Sequence, residues 1–412
     1  MNKLFVICLI FISYAGGNIW HQIEGSIVGL SLSGEEDLEL EGQLKVLNKP
    51  PLLSSEGKDG DFIDCIDIYK QPAFDHPLLK NHTLQMRPSA LPEGSKFKGD
   101  QDSRKPNDQF QRKFWNCPPG AVPFRRTRKE DLIRAKAALN FIRQTPINPT
   151  ITPSSDIHYA VVSAKDPSQN FYGAKTSISV YNLSRIEAPQ ISQALLWIGT
   201  AVDGPYNSLE YGWTVNPTLY GDSQPRTYSY WTADGTKSTG CYNALCPGYV
   251  QVSQKRIMGE VNHPVTVFGK DVYAMQFSLF KDPKTSNWWL FENLGDKPNE
   301  PVGYWPKELF PAMADSAKVA QLGGKVYEPP NTPINPPMGS GAFISDDFTR
   351  TCYASNIEFV NSSFQFYLPK DVDMEVIQDK PNTYEADYLG DASKEHPQRG
   401  YTLLFGGPDI RD

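Results

Sequence analysis

The chain has 412 residues, 34 of them proline and 31 glycine, with aromatic residues at 12 %. That length allows two or three domains, and the composition supplies a β-rich core with many turns and little long helix. A net charge of −7 and a pI near 5.5 argue against a nucleic-acid partner, because no basic stripe is available to neutralise phosphates.

Residues 1–17 carry Lys3, an apolar run from Leu4 to Ile12, and small residues at Ser13 and Ala15. This is the layout of a cleaved signal peptide, too short to span a bilayer, and no later apolar run is long enough to do so. The expectation is a secreted, extracellular protein without a membrane anchor once the leader is cut. Residues 18–60 are polar and acidic, without a firm period, and read as a flexible segment.

Residues 61–150 read as a mixed region ahead of a linker. Within it, Thr127 and Glu130 have capping-box spacing and open a helix that places Leu132, Ala135, Leu139 and Ile142 on one face. Arg125-Arg126 reads as a solvated surface pair, with proteolytic processing as the rival. The Pro/Ser/Thr-rich run 144–156 reads as the linker to a second domain over 158–412. Beyond His158 the chain consists of short extended runs punctuated by turns. Asp271 to Phe280, for example, alternates Tyr273, Met275, Phe277 and Leu279 with Val272, Ala274, Gln276 and Ser278. The fold class this predicts is all-β, an antiparallel β-sandwich preceded by a mixed region with a short helix. A short helix is also expected within 307–321.

With Cys8 removed in the leader, five cysteines remain, so at least one is unpaired or bridges to another chain. Cys241 and Cys246 are close enough to bridge locally, and Cys65 with Cys117 is the natural second pair. Zinc would need further ligands at short spacing, whereas the six histidines are scattered. No metal or cofactor is expected. Asn81, Asn182 and Asn361 head sequons usable for glycosylation in a secreted chain.

The most informative stretch is 209–249. Glu210, Gly212 and Thr214 share one face of a strand, and Tyr211, Trp213 and Val215 the other. The aromatic set reads as the packed face, leaving a carboxylate beside a glycine with room above it. The string Glu-Tyr-Gly-Trp, Leu-Tyr-Gly-Asp, Tyr-Trp-Thr-Ala-Asp-Gly, Gly-Cys-Tyr-Asn-Ala-Leu-Cys resembles the plant neprosin family. So do His-Pro-Leu-Leu and Gln-Met-Arg-Pro-Ser between His76 and Ser89, and the surroundings of Cys117-Pro118. The resemblance implies a zymogen in which 61–150 is the pro-region, or activation peptide, and a secreted glutamic peptidase that cuts next to proline. It also places a cysteine partner for Cys352 just before Tyr384, where this chain has Thr383.

A glutamic peptidase needs one carboxylate to activate water and a second group to hold or protonate the carbonyl oxygen. The resemblance assigns the first role to Glu210. It places the second on a Gly-Gly-Glu-Val strand, which here reads Gly323-Gly324-Lys325-Val326. Lysine in that position implies an impaired or altered prolyl endopeptidase. Its rival is a non-catalytic binding protein of the cell wall or matrix. Gly212, Tyr228, Tyr230 and Trp305 are candidate walls of a substrate cleft, because aromatic faces suit proline rings and sugars alike. The expected partner is a proline-containing peptide or protein, with a cell-wall ligand as a further possibility. Serine and cysteine nucleophiles find no supporting motif, and a glycoside hydrolase lacks an evident second acid.

Overall fold

The computed structural model describes residues 33–57, 60–95, 115, 117–143, 156–164, 169–200, 206–294 and 297–408. The expected signal peptide, most of the 144–156 linker and the charged run 96–114 lie outside them. The chain forms two compact units, 1–43 and 44–412. The first is represented by the early turns of helix α1 (Gly34–Leu47). This helix corrects the expectation that 18–60 is flexible throughout. Ser33 and Glu36 cap it reciprocally, each side chain accepting from the other's amide at 3.2 Å. Glu35, Glu36 and Asp37 in the first turn and Lys45 in the last complement the helix dipole.

The second unit begins with a three-stranded antiparallel sheet, β1 (Leu53–Glu56), β2 (Phe62–Asp67) and β3 (Ala121–Arg125). The disulfide Cys65–Cys117 closes it. Arg125 and Arg126 are built into this sheet. Arg125 pairs with Asp61 and Asp131, while Arg126 donates to both carboxylate oxygens of Asp64 at 2.8 and 2.6 Å. Their strand pairing and ion pairs count against a cleavage site there. Helix α2 (Lys129–Arg143) follows. Its first turn is closed by Asp131 accepting from the Arg128 amide at 2.8 Å, one residue beyond the box that the sequence suggests.

Two antiparallel sheets then face one another, as the sequence pattern predicts. The smaller runs β18 (Met374–Gln378), β4 (Ile157–Ala164), β14 (Val319–Tyr327), β6 (Ile191–Gly199), β7 (Ser208–Val215), β8 (Arg226–Thr232) and β9 (Cys241–Tyr242). The larger sheet has the order β10 (Val250–Gln251), β13 (Lys297–Trp305), β12 (Trp288–Leu294), β11 (Ala274–Lys281), β5 (Gly173–Ser179), β16 (Cys352–Val360), β20 (Tyr401–Gly407) and β15 (Met338–Gly339). Strands β17 (Phe366–Tyr367) and β19 (Glu385–Asp391) pair with β16 and β20. The helix expected within 307–321 is replaced by two 3₁₀ turns and the start of β14.

The core lies between the sheets. Leu209, Tyr211, Trp213 and Val215 of β7 meet Met275, Phe277 and Leu279 of β11 there, with Trp288 and Leu290 of β12. Trp305 belongs to this core, fully buried with its ring 4.8 Å from Tyr249, so it does not line a cleft. Cys352 is buried in the same layer, where burial pushes its thiol up to about 12.

The opposite face of the large sheet is also apolar. Phe280, Trp289, Phe291, Tyr304 and Val360 cluster there with Ala73, Phe74 and Leu84. Residues 71–95 therefore act as a strap across the sheet's outer surface. Strand alternation puts Trp288 and Trp289 on opposite faces, yet both are buried, one by the facing sheet and one by the strap.

Gly212 has a different reason from the one its sequence context suggests. A Cβ there meets the Ala194 carbonyl oxygen at 2.0 Å and the Leu195 Cα at 2.8 Å. It allows β6 and β7 to approach and does not leave room for a ligand. Gly212→Ala is expected to destabilise the fold by about 3 kcal/mol, read as a lower urea midpoint at unchanged slope. An unchanged midpoint would show that the strands yield without cost.

Candidate active site

The outer face of the small sheet carries the polar residues that sequence alternation directs away from the core. Register sets their spacing: Lys325 on β14 lies opposite Gln193 on β6, and Glu210 on β7 lies opposite Trp197, four residues along β6. The long lysine side chain spans that diagonal. Its Nζ donates to both carboxylate oxygens of Glu210 at 2.9 Å, and the Tyr228 hydroxyl donates to Oε2 at 3.0 Å. Glu210 is 4 % exposed. Tyr228 and Tyr242 are buried beside it. Burial first, then the Glu210 charge, holds their phenols well above the ordinary range, so both stay neutral, and Tyr228 is the one that donates to Glu210.

A groove of about 730 Å³ of empty space, part of it open to solvent, runs over this pair. Tyr159, Gln193, Leu195, Trp197, Tyr230 and Tyr327 are among its walls. Of the sequence-derived candidates, the structure brings together Glu210, Lys325, Tyr228 and Tyr230. It separates Trp305, which faces the inter-sheet core, and Gly212, which is used in strand packing. Glu292 is buried in another network and Glu328 pairs with Lys380 at 2.8 Å, so neither supplies a second carboxylate. Gln193, Tyr159 and Tyr242 escape sequence reasoning. The available signal for Gln193 was an amide set in the apolar run Ile191 to Ile198, at the same parity as Leu195 and Trp197. Among the described residues no group of three or more His, Cys, Asp or Glu is placed to hold a metal.

Helix α2 lies over the groove. Ala135, Ala138 and Leu139 pack on Leu195, Trp197, Tyr228, Tyr230 and Tyr242. Phe141 stacks on Tyr327 at 4.8 Å and 19°. The loop after β8 is closed by the Cys241–Cys246 disulfide and by Asp234, whose carboxylate accepts from Ser238 and Thr239.

The same N-terminal segment is held on the far side of the sandwich by the strap. Gln71 exchanges two hydrogen bonds with the Gln251 backbone, at 2.7 and 3.1 Å. The Tyr304 hydroxyl accepts from the Gln85 amide and bonds His82 at 2.8 Å. Ser89 donates from its amide and hydroxyl to Asp282 at 2.5 and 2.6 Å. Burial raises the Asp282 carboxyl, but these Ser89 bonds and the amides of Thr285 and Lys284 outweigh it, and the net effect is a lowered value. A carboxyl held below its unfolded value stabilises docking above about pH 4, and that stability is lost as the pH falls through the folded value. His82 acts in the same direction, since burial lowers its pKa more than Glu308 raises it and the neutral ring is the docked form. Acidification below about pH 4 is therefore expected to speed hydrogen exchange across 71–95 before that of β6 and β7. Exchange in the strap that stays level with the sheet would refute this.

A family model described as Neprosin matches residues 188–408, and one described as Neprosin activation peptide matches 54–163. The chain belongs to the neprosin family and carries its activation peptide. The second match runs into β4, which is a full member of the small sheet between β18 and β14. Similar solved structures include Scytalido-glutamic peptidase with a peptide-based transition state analog, at 10 % identity and TM-score 0.33, covering 62 % of this chain and 100 % of that one. Another is SCP-B, a member of the Eqolisin family of peptidases in a complex with the tripeptide Ala-Ile-His. It is 12 % identical with TM-score 0.31, and the match covers 62 % and 100 % of the two chains.

Proposed function

We propose that this protein is a secreted neprosin-type glutamic endopeptidase homologue, made in latent form. It takes proline-containing peptide into the Glu210 groove and hydrolyses it poorly. The observation that carries this reading is the Lys325 ammonium, held 2.9 Å from both oxygens of Glu210. A carboxylate has about four acceptor positions. Lys325 and Tyr228 fill three of them here, leaving one on Oε1 for a water. Glu210 thus keeps a base function, and Lys325 can donate to an oxyanion. An ammonium is a far weaker acid than a carboxyl, however, so the pair cannot share and pass on a proton as two carboxyls do.

Latency follows from helix α2 over the groove. A cut in 144–156 would leave β4 in its sheet while freeing the helix at its C-terminal end. Two disulfides suit an oxidising compartment, and Asn81 and Asn182 are exposed for glycosylation. Asn361 is half-buried, with its side-chain oxygen accepting from the Ser363 and Gln365 amides. Binding without turnover, as in a cell-wall protein, is the second reading. It is favoured by the same ion pair, since a neutralised carboxylate under an aromatic groove still recognises peptide. The deciding experiment compares turnover of a proline-containing peptide by the wild type, Glu210→Ala and Lys325→Glu, each freed of its activation peptide. Wild-type turnover lost in Glu210→Ala supports a slow peptidase, whereas a silent wild type that still binds the peptide supports the binding protein.

A further inference from the structure

Two features of the groove are unused by the ion pair. The first is an apolar pocket beside it. Ile157 and Ile191 lie directly opposite Tyr327 on the neighbouring strands, and Tyr159 and Gln193 lie opposite Lys325 in the same way. The pocket therefore sits one same-face step, roughly 7 Å, along the strands from the lysine. Its occupant is the ring of Phe141, stacked on Tyr327 and packed with Ile157 and Ile191.

The second feature is a set of donors that the helix leaves unmatched. Gln193 Nε2 and the Tyr242 hydroxyl are buried in the groove wall with no hydrogen-bond partner among the described residues. An unmatched buried donor is costly, and native interiors rarely keep one without a use. A helix cannot satisfy these groups from its interior, because its carbonyls are already bonded four residues on. An extended peptide brings free carbonyls at every residue.

We propose that Ile157, Ile191 and Tyr327 form a subsite for an aromatic side chain of an extended peptide. Gln193 takes a backbone carbonyl of that peptide, and Phe141 fills the subsite in the latent form. This rests on the reading of the groove as a peptide site and adds the side chain that it selects. The helix thus imitates the substrate in its side chain and fails to imitate it in its backbone.

The test is binding, not turnover, on the full chain. Phe141→Ala empties the subsite, and the probes are N-acetyl-phenylalanine amide and N-acetyl-alanine amide, titrated by NMR or calorimetry. The expected result is that Phe141→Ala binds the phenylalanine probe roughly ten- to a hundredfold more tightly than the alanine probe, while the wild type binds neither. Adding Tyr327→Ala should abolish the preference. Adding Gln193→Ala should weaken both probes and keep it. A folded Phe141→Ala chain that does not distinguish the probes overturns the subsite. If that variant unfolds, Phe141→Leu, which keeps most of the packing, is compared with wild type for displacement by the phenylalanine probe; no displacement likewise overturns it. Turnover by Lys325→Glu with no probe preference would remove the subsite and leave the peptidase reading intact. The preference without turnover in any variant would do the reverse.

Discussion

Lys325→Glu is expected to raise turnover of a proline-containing peptide by roughly 10²–10⁴-fold in mild acid once the activation peptide is cleared, the range general acid–base catalysis supplies. The geometry is already present. Lys325 on β14 reaches Glu210 on β7 diagonally across β6, and a glutamate on the same Cα projects over the same groove. Two carboxyls there cannot both ionise at low cost, so one keeps its proton to serve the carbonyl oxygen while the other takes a proton from water. Adding Glu210→Ala to Lys325→Glu should return the rate to background. The check is a steady-state assay across about pH 3 to 7, where the restored enzyme should show an acidic optimum. A Lys325→Glu protein that folds, binds peptide and stays silent would mean that the groove has lost more than one proton carrier.

Arg256→Ala is expected to cost about 3–5 kcal/mol, the largest stability effect we foresee, because it strands buried charge. The Arg256 guanidinium donates from Nε to Glu292 at 2.5 Å, from Nη2 to the same carboxylate at 3.1 Å, and from Nη1 to Glu260 at 2.6 Å. Arg256 and Glu292 are 2 % and 3 % exposed. Burial alone would favour the neutral guanidinium, but Glu292 and then Glu260 outweigh it and raise its pKa. Tyr211 donates a short hydrogen bond to Glu292 from β7, so the network ties the strand of Glu210 to the opposite sheet. Removing the guanidinium takes three charge-assisted hydrogen bonds out of this buried network, two of them from Glu292. Denaturant unfolding measures the loss. Arg256→Lys should recover only part of it, since an ammonium cannot reproduce the two-pronged contact. A loss under about 1 kcal/mol would mean that water reaches the site.

The alternation in Glu210 to Val215 and in Asp271 to Leu279 was enough to assign faces, strands and the sandwich, because a strand's two-residue period is local. The Ser33-x-x-Glu36 box that starts helix α1 is equally local, though the acidic run around it has no firm period. Cysteine spacing was sufficient to suggest both bridges, and motif order to suggest the family and the lysine at Lys325.

Burial on the outer faces was not legible in the same way. Trp289 and Tyr304 are buried because the strap, some 200 positions earlier in the chain, lies across their sheet. Trp305 and Tyr230 looked alike as aromatic residues next to family motifs, yet one faces the core and the other the groove. Gly212 signalled space, but its neighbour's carbonyl occupies it. Gln193 became a candidate only when register set it beside Lys325 and left its Nε2 without a hydrogen-bond partner. Alternation tells which side a residue faces. What covers that side depends on contacts between distant segments, and only the tertiary structure decides them.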